Sequence, residues 1–202
     1  MTAAGPFVGG ADAPGPVIRC GPAHLEAIRA IYNHEIAHTT ALYEYEPRSA
    51  DTIAAWFTAK ETAGLPVLGI EDRDGTLAGF ATWGPFRPFP AYLHTVEHSV
   101  YVDHRRRRRG VGHALLAALV AEARVRGLHV MVGGIDAANA ASIALHRRLG
   151  FVHAGTIREA GYKFGRWLDL DFWQLVLASA APPAAAAAAT PAAARSPADT
   201  RG

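Results

Sequence analysis

Residues 107–112 read Arg-Arg-Arg-Gly-Val-Gly, between a strand-like run at 96–102 and a helix-like run at 111–120. A strand that turns through glycines into a helix start leaves backbone N–H groups without carbonyl partners at the positive end of the helix dipole. Such a turn is a socket for a diphosphate. Gly110 and Gly112 permit close approach, and Arg108, Arg109, Val111 and His113 would add N–H groups. A dinucleotide fingerprint would need Gly or Ala where this chain has Leu115, and the Gly-Lys-Ser or Gly-Lys-Thr of a Walker loop is absent. Arg107 belongs to a run of arginines at 105–109, whose nearest natural partners beside this turn are phosphates.

Two further groups of residues could move protons. Glu97 sits on a strand whose other face carries Val96, Val100 and Val102. A carboxylate emerging from an apolar setting holds its proton more strongly, which suits a base; the alternative is a strand glutamate facing solvent. Asn139, Ser142 and His146 are spaced three and four apart and share one helix face. An imidazole at 146 could give or take a proton near neutrality, or could simply pack.

The elements that must position these residues follow from pattern. Residues 17–19 form a short first strand, and Pro22 stands where a helix should begin. Leu25, Ile28, Ala30, Ile31 and Ile36 give that helix its apolar stripe; a second starts at Ser49 and turns Ile53, Trp56 and Phe57 inward. Apolar runs at 65–71 and 77–83 flank a hairpin turn at 72–75, and a Pro- and aromatic-rich loop at 85–92 leads into the strand ending at Val102. After the glycine turn come a helix, a strand at 129–132, a helix from Asn139 to Leu149 closed by Gly150, and strands at 151–158 and 167–177. Leu168, Leu170, Phe172 and Val176 share one face of the last. Strands interleaved with helices in this order indicate one α/β (α+β) domain, a mixed sheet covered by helices.

Composition sets the limits. The 202 residues, half of them hydrophobic, suit a single core at 17–177. Residues 1–16 are expected to be loose, and the Ala/Pro-rich tail at 178–202 disordered. The chain shows neither a signal-peptide pattern nor a long apolar span, so a cytoplasmic protein without membrane contact is expected. Cys20 is the one cysteine, which excludes an internal disulfide and thiolate clusters, and no metal is expected. Two Lys against eighteen Arg leave a net charge of only +2, so the isolated arginine run argues against a nucleic-acid partner.

Four ordered motifs carry a family resemblance: residues 95–102 (Thr-Val-Glu-His-Ser-Val-Tyr-Val), the glycine turn at 107–112, residues 139–146 (Asn-Ala-Ala-Ser-Ile-Ala-Leu-His) and residues 161–170 (Gly-Tyr-Lys-Phe-Gly-Arg-Trp-Leu-Asp-Leu). Together, from about 17 to 177, they resemble the phosphinothricin and methionine sulfoximine acetyltransferase branch of the GNAT superfamily of N-acyltransferases. The resemblance implies a mostly antiparallel mixed sheet with one splayed strand pair for acyl-CoA. It implies acetyl transfer from acetyl-CoA to the α-amine of a small amino-acid-like substrate, by direct attack in a ternary complex, in a homodimer.

Such transfer needs a neutral amine, a stabilised oxyanion and a proton for the leaving sulfur. Glu97 would serve the amine, directly or through water. His146 stands where many members carry a tyrosine acid. Asn139 and Ser142 would contact the pantetheine arm, and backbone groups of Val100, Tyr101 and Val102 would pair with its amides like an added strand. Arg87 would meet the substrate's carboxylate, with Phe86 and Phe89 as an apolar wall and the segment at 33–45 also shaping the pocket. Tyr162, Lys163 and Phe164 would line its floor or a dimer contact. The chain departs from relatives at Arg108, often Gly, and at Leu93, often Arg. The alternatives are a protein N-terminal or lysine acetyltransferase and a non-enzymatic nucleic-acid-binding or acyl-CoA-sensing module built on residues 105–109.

Overall fold

A computed structural model describes residues 14–177. Of the stretches expected to be loose, residues 1–13 and 178–202 lie outside the described residues, and 14–16 carry no regular structure. The elements follow in the expected order: β1 (Val17–Arg19), α1 (Leu25–His38), α2 (Ala50–Thr62), β2 (Val67–Glu71), β3 (Leu77–Pro85), β4 (Thr95–Val102), α3 (Val111–Val125), β5 (Val130–Asp136), α4 (Ala140–Arg148), β6 (Val152–Lys163) and β7 (Arg166–Val176).

Local chemistry sets the helix ends. The Ser49 hydroxyl accepts from the Thr52 amide at 3.1 Å, and Asn139 Oδ1 accepts from the Ser142 amide at 3.1 Å, each satisfying a donor that the first helical turn leaves free. Gly150, at φ +87°, ends the turn after α4 in a conformation only glycine adopts without strain. Pro22 opens a separate 3₁₀ turn, Pro22–His24, rather than α1 itself.

The strands form one sheet in the order β1-β2-β3-β4-β5-β7-β6, and every adjacent pair is antiparallel except β4 with β5. Alternation along each strand sends side chains to two cores. On one face Val96, Met131, Trp173 and Leu175 pack with Leu115, Leu116 and Leu119 of α3, and Ile143, Leu145 and Leu149 from α4 and its end cover them. On the other, Phe80 and Leu77 pack with Ile28, Ile31 and Tyr32 of α1 and Ile53 and Phe57 of α2.

Two expectations about the later strands are corrected. β5 runs on through Gly133, Gly134, Ile135 and Asp136, because β7 pairs along its whole length; the paired glycines hid this from propensity. β6 continues to Lys163 through irregular registers at His153/Gly155 and Ile157/Gly161, with Glu159 at φ +51°. In β7 Trp173 and Leu175, continued by Leu177, pack under the helices, while the face shared by Leu168, Leu170, Phe172 and Val176 has Leu168 buried and Val176 exposed.

Candidate active site

The parallel pairing of β4 with β5 is short. Its partners are Thr95–Val130, Val96–Met131 and Glu97–Val132; beyond them the two strands diverge while keeping their outer partners β3 and β7. Residues 98–102 and 133–136 therefore face each other across a split, with the inner backbone edge of β4 unpaired by β5. This is the splayed strand pair expected from the resemblance. The split opens into a cavity of about 970 Å³ that also reaches the first residues of α3, the α4 face bearing Asn139, Ser142 and His146, and the end of α1.

At one end of the cavity the glycine turn takes the shape its sequence implies. Gly110 lies at φ +81° immediately before α3, and Gly110, Val111, Gly112 and His113 line the cavity. The free amides of the first helical turn thus point where an anion is most favoured. Arg108 also has positive φ, +63°, a conformation costing a non-glycine residue about 1 kcal/mol or more, so the turn carries local strain there. Arg108 lines the cavity; Arg109 is exposed outside it.

Arg107 has a partner that sequence reasoning missed. Its guanidinium donates to the carboxylate of Glu35 on α1, which is almost wholly buried and also accepts from the Thr39 hydroxyl at 2.9 Å. Arg107 therefore ties the glycine turn to α1 before any ligand is considered. Arg107→Met would strand that carboxylate. Even after discounting for the half-exposed arginine, a loss of about 1–3 kcal/mol in denaturant-monitored unfolding is expected, against a few tenths for a surface arginine. An unchanged midpoint would contradict it.

Glu97 occupies the closed end of the split, on the opposite face of β4 from His98. Gly134 of β5 makes room for it, since a Cβ there would lie 3.2 Å from Glu97 Oε1. Burial raises the Glu97 carboxyl above its ordinary value, and Arg87, with Nη1 3.9 Å from Oε2, draws it back. Arg87 lies over the Phe86 ring at 4.2 Å and donates to the Phe86 carbonyl at 2.6 Å. The structure thus brings Glu97, Arg87 and Phe86 together at the closed end of the split, although none of the three is among the residues that line the cavity. It does not bring Phe89, which is exposed.

The other face of the split holds a second polar cluster. His146 is buried, with Nδ1 2.7 Å from the Ser142 carbonyl and Nε2 3.1 Å from Nε2 of His98, also buried. Gly133 accommodates them: a Cβ there would meet His98 Nε2 at 2.8 Å and His146 Nε2 at 3.0 Å. His98 was not singled out from sequence, although its even position among Val96, Val100 and Val102 puts it on the apolar face. Burial, then the neighbouring His146, pull His98 down to about 3, and burial lowers His146 against the opposing Ser142 carbonyl.

Both rings titrate near 6.5 when unfolded. Between that value and the folded ones the unfolded chain binds more protons, so stability must fall as pH drops below 6.5. The slope is about 1.4 kcal/mol per pH unit from His98 alone, and it levels off near pH 3. Thermal unfolding at pH 7 and pH 5 measures this, and equal melting temperatures would contradict it.

The remaining wall comes from the segment after α1 and the β6–β7 hairpin. Thr39, Thr40 and Ala41 line the cavity opposite Phe164 and Arg166. Lys163, expected at the floor, is instead a buried tie: Nζ donates to the Thr39 carbonyl at 2.8 Å and the Leu42 carbonyl at 2.6 Å. Tyr45 donates to the Tyr162 carbonyl at 2.5 Å. The Tyr101 ring packs against Tyr32 and Phe80, at 5.0 and 5.5 Å between centroids. Asp136 and Arg166, also unforeseen, stand together at the open end of β5, 4.0 Å apart.

A mixed sheet opened at its parallel pair, beside a glycine turn that leads into a helix, is the architecture expected above for an N-acyltransferase. Comparison with known proteins agrees. The model of the Acetyltransferase (GNAT) family matches residues 28–151. An L-methionine sulfoximine/L-methionine sulfone acetyltransferase of Pseudomonas paraeruginosa is 49% identical over 157 residues, covering 78% of this chain and 91% of that protein. A phosphinothricin N-acetyltransferase of Alcaligenes faecalis is 39% identical over 72% of this chain and 74% of its own length. The solved structure of yncA from Salmonella typhimurium with its cofactor acetyl-CoA matches with a TM-score of 0.80 and 44% identity, over 84% of this chain and 98% of that one. The chain belongs to the GNAT acetyltransferase family.

Proposed function

We propose that the protein transfers an acetyl group from acetyl-CoA to the α-amine of a small amino-acid-like substrate, by direct attack in a ternary complex. Methionine sulfoximine or sulfone, phosphinothricin, or a related amino acid is the substrate class. The observation that carries the reading is the split between β4 and β5, with the amides of α3 at one end and Glu97 at the other. The similarity to acetyltransferases acting on those compounds supports it.

The residues present fit the coenzyme. The free first turn of α3, with Arg108 and His113 alongside, suits a diphosphate, and the unpaired inner edge of β4 at Val100, Tyr101 and Val102 suits an amide-bearing arm. Asn139 already caps α4 through Oδ1, and Ser142 stands one turn on along the same wall. Acetyl-CoA supplies an acetyl group activated as a thioester. A backbone N–H on the inner edge of β4 would face the carbonyl oxygen under attack.

Glu97 takes a proton from the substrate ammonium, a role helped by burial that holds its own proton affinity above the ordinary carboxylate range. Arg87 is placed to receive the substrate carboxylate next to that base. Direct transfer suits the thiol inventory: Cys20 is partly buried on the first strand's side, away from the cavity lining, and burial pushes it up to about 12. No helix among the described residues is long and apolar enough to cross a membrane, and we place the enzyme in the cytoplasm. Exposed Tyr162, Phe164 and Trp167 at the β6–β7 hairpin support a homodimer.

Thiol release from acetyl-CoA, measured with a panel of amino acids, methionine sulfoximine, methionine sulfone and phosphinothricin, tests the proposal. Turnover confined to small amino acids is expected. Acetyl-CoA binding without turnover of any of them would reject it, and turnover of peptides alone would favour a protein acetyltransferase.

A further inference from the structure

The buried histidine pair has its protons assigned by its neighbours. A carbonyl oxygen only accepts, so His146 Nδ1, 2.7 Å from the Ser142 carbonyl, carries a hydrogen. In the neutral ring Nε2 then bears the lone pair, and His98 Nε2 at 3.1 Å must be the donor. His98 consequently keeps a bare Nδ1, and that atom is buried with no hydrogen-bond partner within the described protein. The rings lie only 22° from parallel, and both rest against the edge of Phe151, at 5.5 and 5.1 Å between centroids. The pair spans from β4 to α4 across the face of Gly133, at the point where the split begins.

This arrangement leaves neutral His146 no free nitrogen toward the cavity. A proton entering the pair would need either His146 Nε2, already engaged, or His98 Nδ1, which is sealed from solvent. The surroundings offer a cation little compensation. Ser142, Gly133 and Phe151 are neutral, Glu97 projects from the other face of β4, Asp136 lies three residues along β5, and Arg147 and Arg148 are exposed on α4. Burial and the neighbouring His146 act on His98, and burial and the Ser142 carbonyl act on His146.

We propose that His98 is a positioning residue: by donating to His146 Nε2 it holds His146 as a neutral wall of the split, so that His146 takes no proton and gives none during acetyl transfer. This rests on the acetyl-transfer reading above and assigns the proton traffic within it. Glu97 takes the ammonium proton before attack and gives it up to solvent; as the C–N bond forms and the thioester C–S bond breaks, the second proton that nitrogen then loses passes through solvent to the departing sulfur. Neither imidazole changes charge.

Two measurements test it. Long-range ¹H–¹⁵N correlation of the histidine side chains in the intact protein should show His146 as the Nδ1–H tautomer and His98 as the Nε2–H tautomer, both unchanged from pH 8 to pH 6. A cationic His146 at pH 7, or the reverse tautomers, would overturn the proposal whether or not any amine is acetylated. The second measurement is the pH profile of kcat/KM. His98→Phe should leave His146 Nε2 without its donor and open to a proton from the cavity, adding an acid limb to kcat/KM that is absent from wild type, about tenfold between pH 7.5 and 5.5. His98→Gln, which restores an N–H donor near the same place, should remove that limb. A His98→Phe profile superimposable on wild type, or a wild-type limb that vanishes in His146→Phe, would refute the assignment. Should His98→Phe fail to fold, the tautomers of the wild-type protein still decide.

Discussion

Glu97→Gln is expected to lower kcat for acetyl transfer by about 10²–10³-fold at pH 7.5, with little change in KM for acetyl-CoA. Glutamine preserves the shape that Gly134 accommodates and sacrifices only a partly exposed, 3.9 Å contact with Arg87, so the fold should survive. What it removes is the acceptor for the ammonium proton. Because burial holds the Glu97 carboxyl above its usual value, the wild-type rate should fall as pH drops through that raised value. The variant should recover as pH rises toward the amine's own pKa, where the substrate loses its proton unaided. Steady-state kinetics from pH 6 to 10 resolve both limbs, and an unchanged kcat would take Glu97 out of the mechanism.

The second large effect concerns the glycine turn. Gly112→Asp should weaken acetyl-CoA binding by about 30-fold or more, since a carboxylate a few ångströms from a diphosphate costs about 2 kcal/mol or more even with screening. A loss of fold would not explain such a result. An aspartate in the first turn of α3 favours the helix dipole, and the nearest atoms to a Cβ at 112, from Leu145 and Val102, lie at 3.4 Å, close enough to need only a small adjustment. The expected signature is therefore an intact or slightly raised melting temperature with a much larger dissociation constant by calorimetry. Undiminished affinity would show that the diphosphate sits elsewhere, and with it would go the placement of the acetyl group near Glu97.

Much of this site was legible one element at a time. The glycines of the turn, the caps at Ser49 and Asn139, and the alternation that sets Glu97 opposite Val96, Val100 and Val102 all act within a few residues of chain. The structure repeats them as φ +81° at Gly110, as 3.1 Å cap bonds, and as a carboxylate off the apolar face of β4. Where local signals mislead, the error is also physical. Gly133 and Gly134 weaken a strand by propensity, yet β7 pairs with them and the missing side chains make room for His98, His146 and Glu97. In β7 the alternation was visible, but which face the helices cover depends on the sheet's neighbours.

Sequence by itself determined the order of elements, the glycine turn ahead of α3 and the residue types at the split, because torsional preference, capping and periodicity are properties of neighbouring residues. Only the tertiary structure decided that His98 meets His146 across 48 residues, that Arg107 meets Glu35 across 72, and that Lys163 ties the hairpin to the segment after α1. Those pairings form when helices dock on the two faces of the sheet and shut water out. A buried polar group must then find its partner wherever the fold has carried one, however distant along the chain.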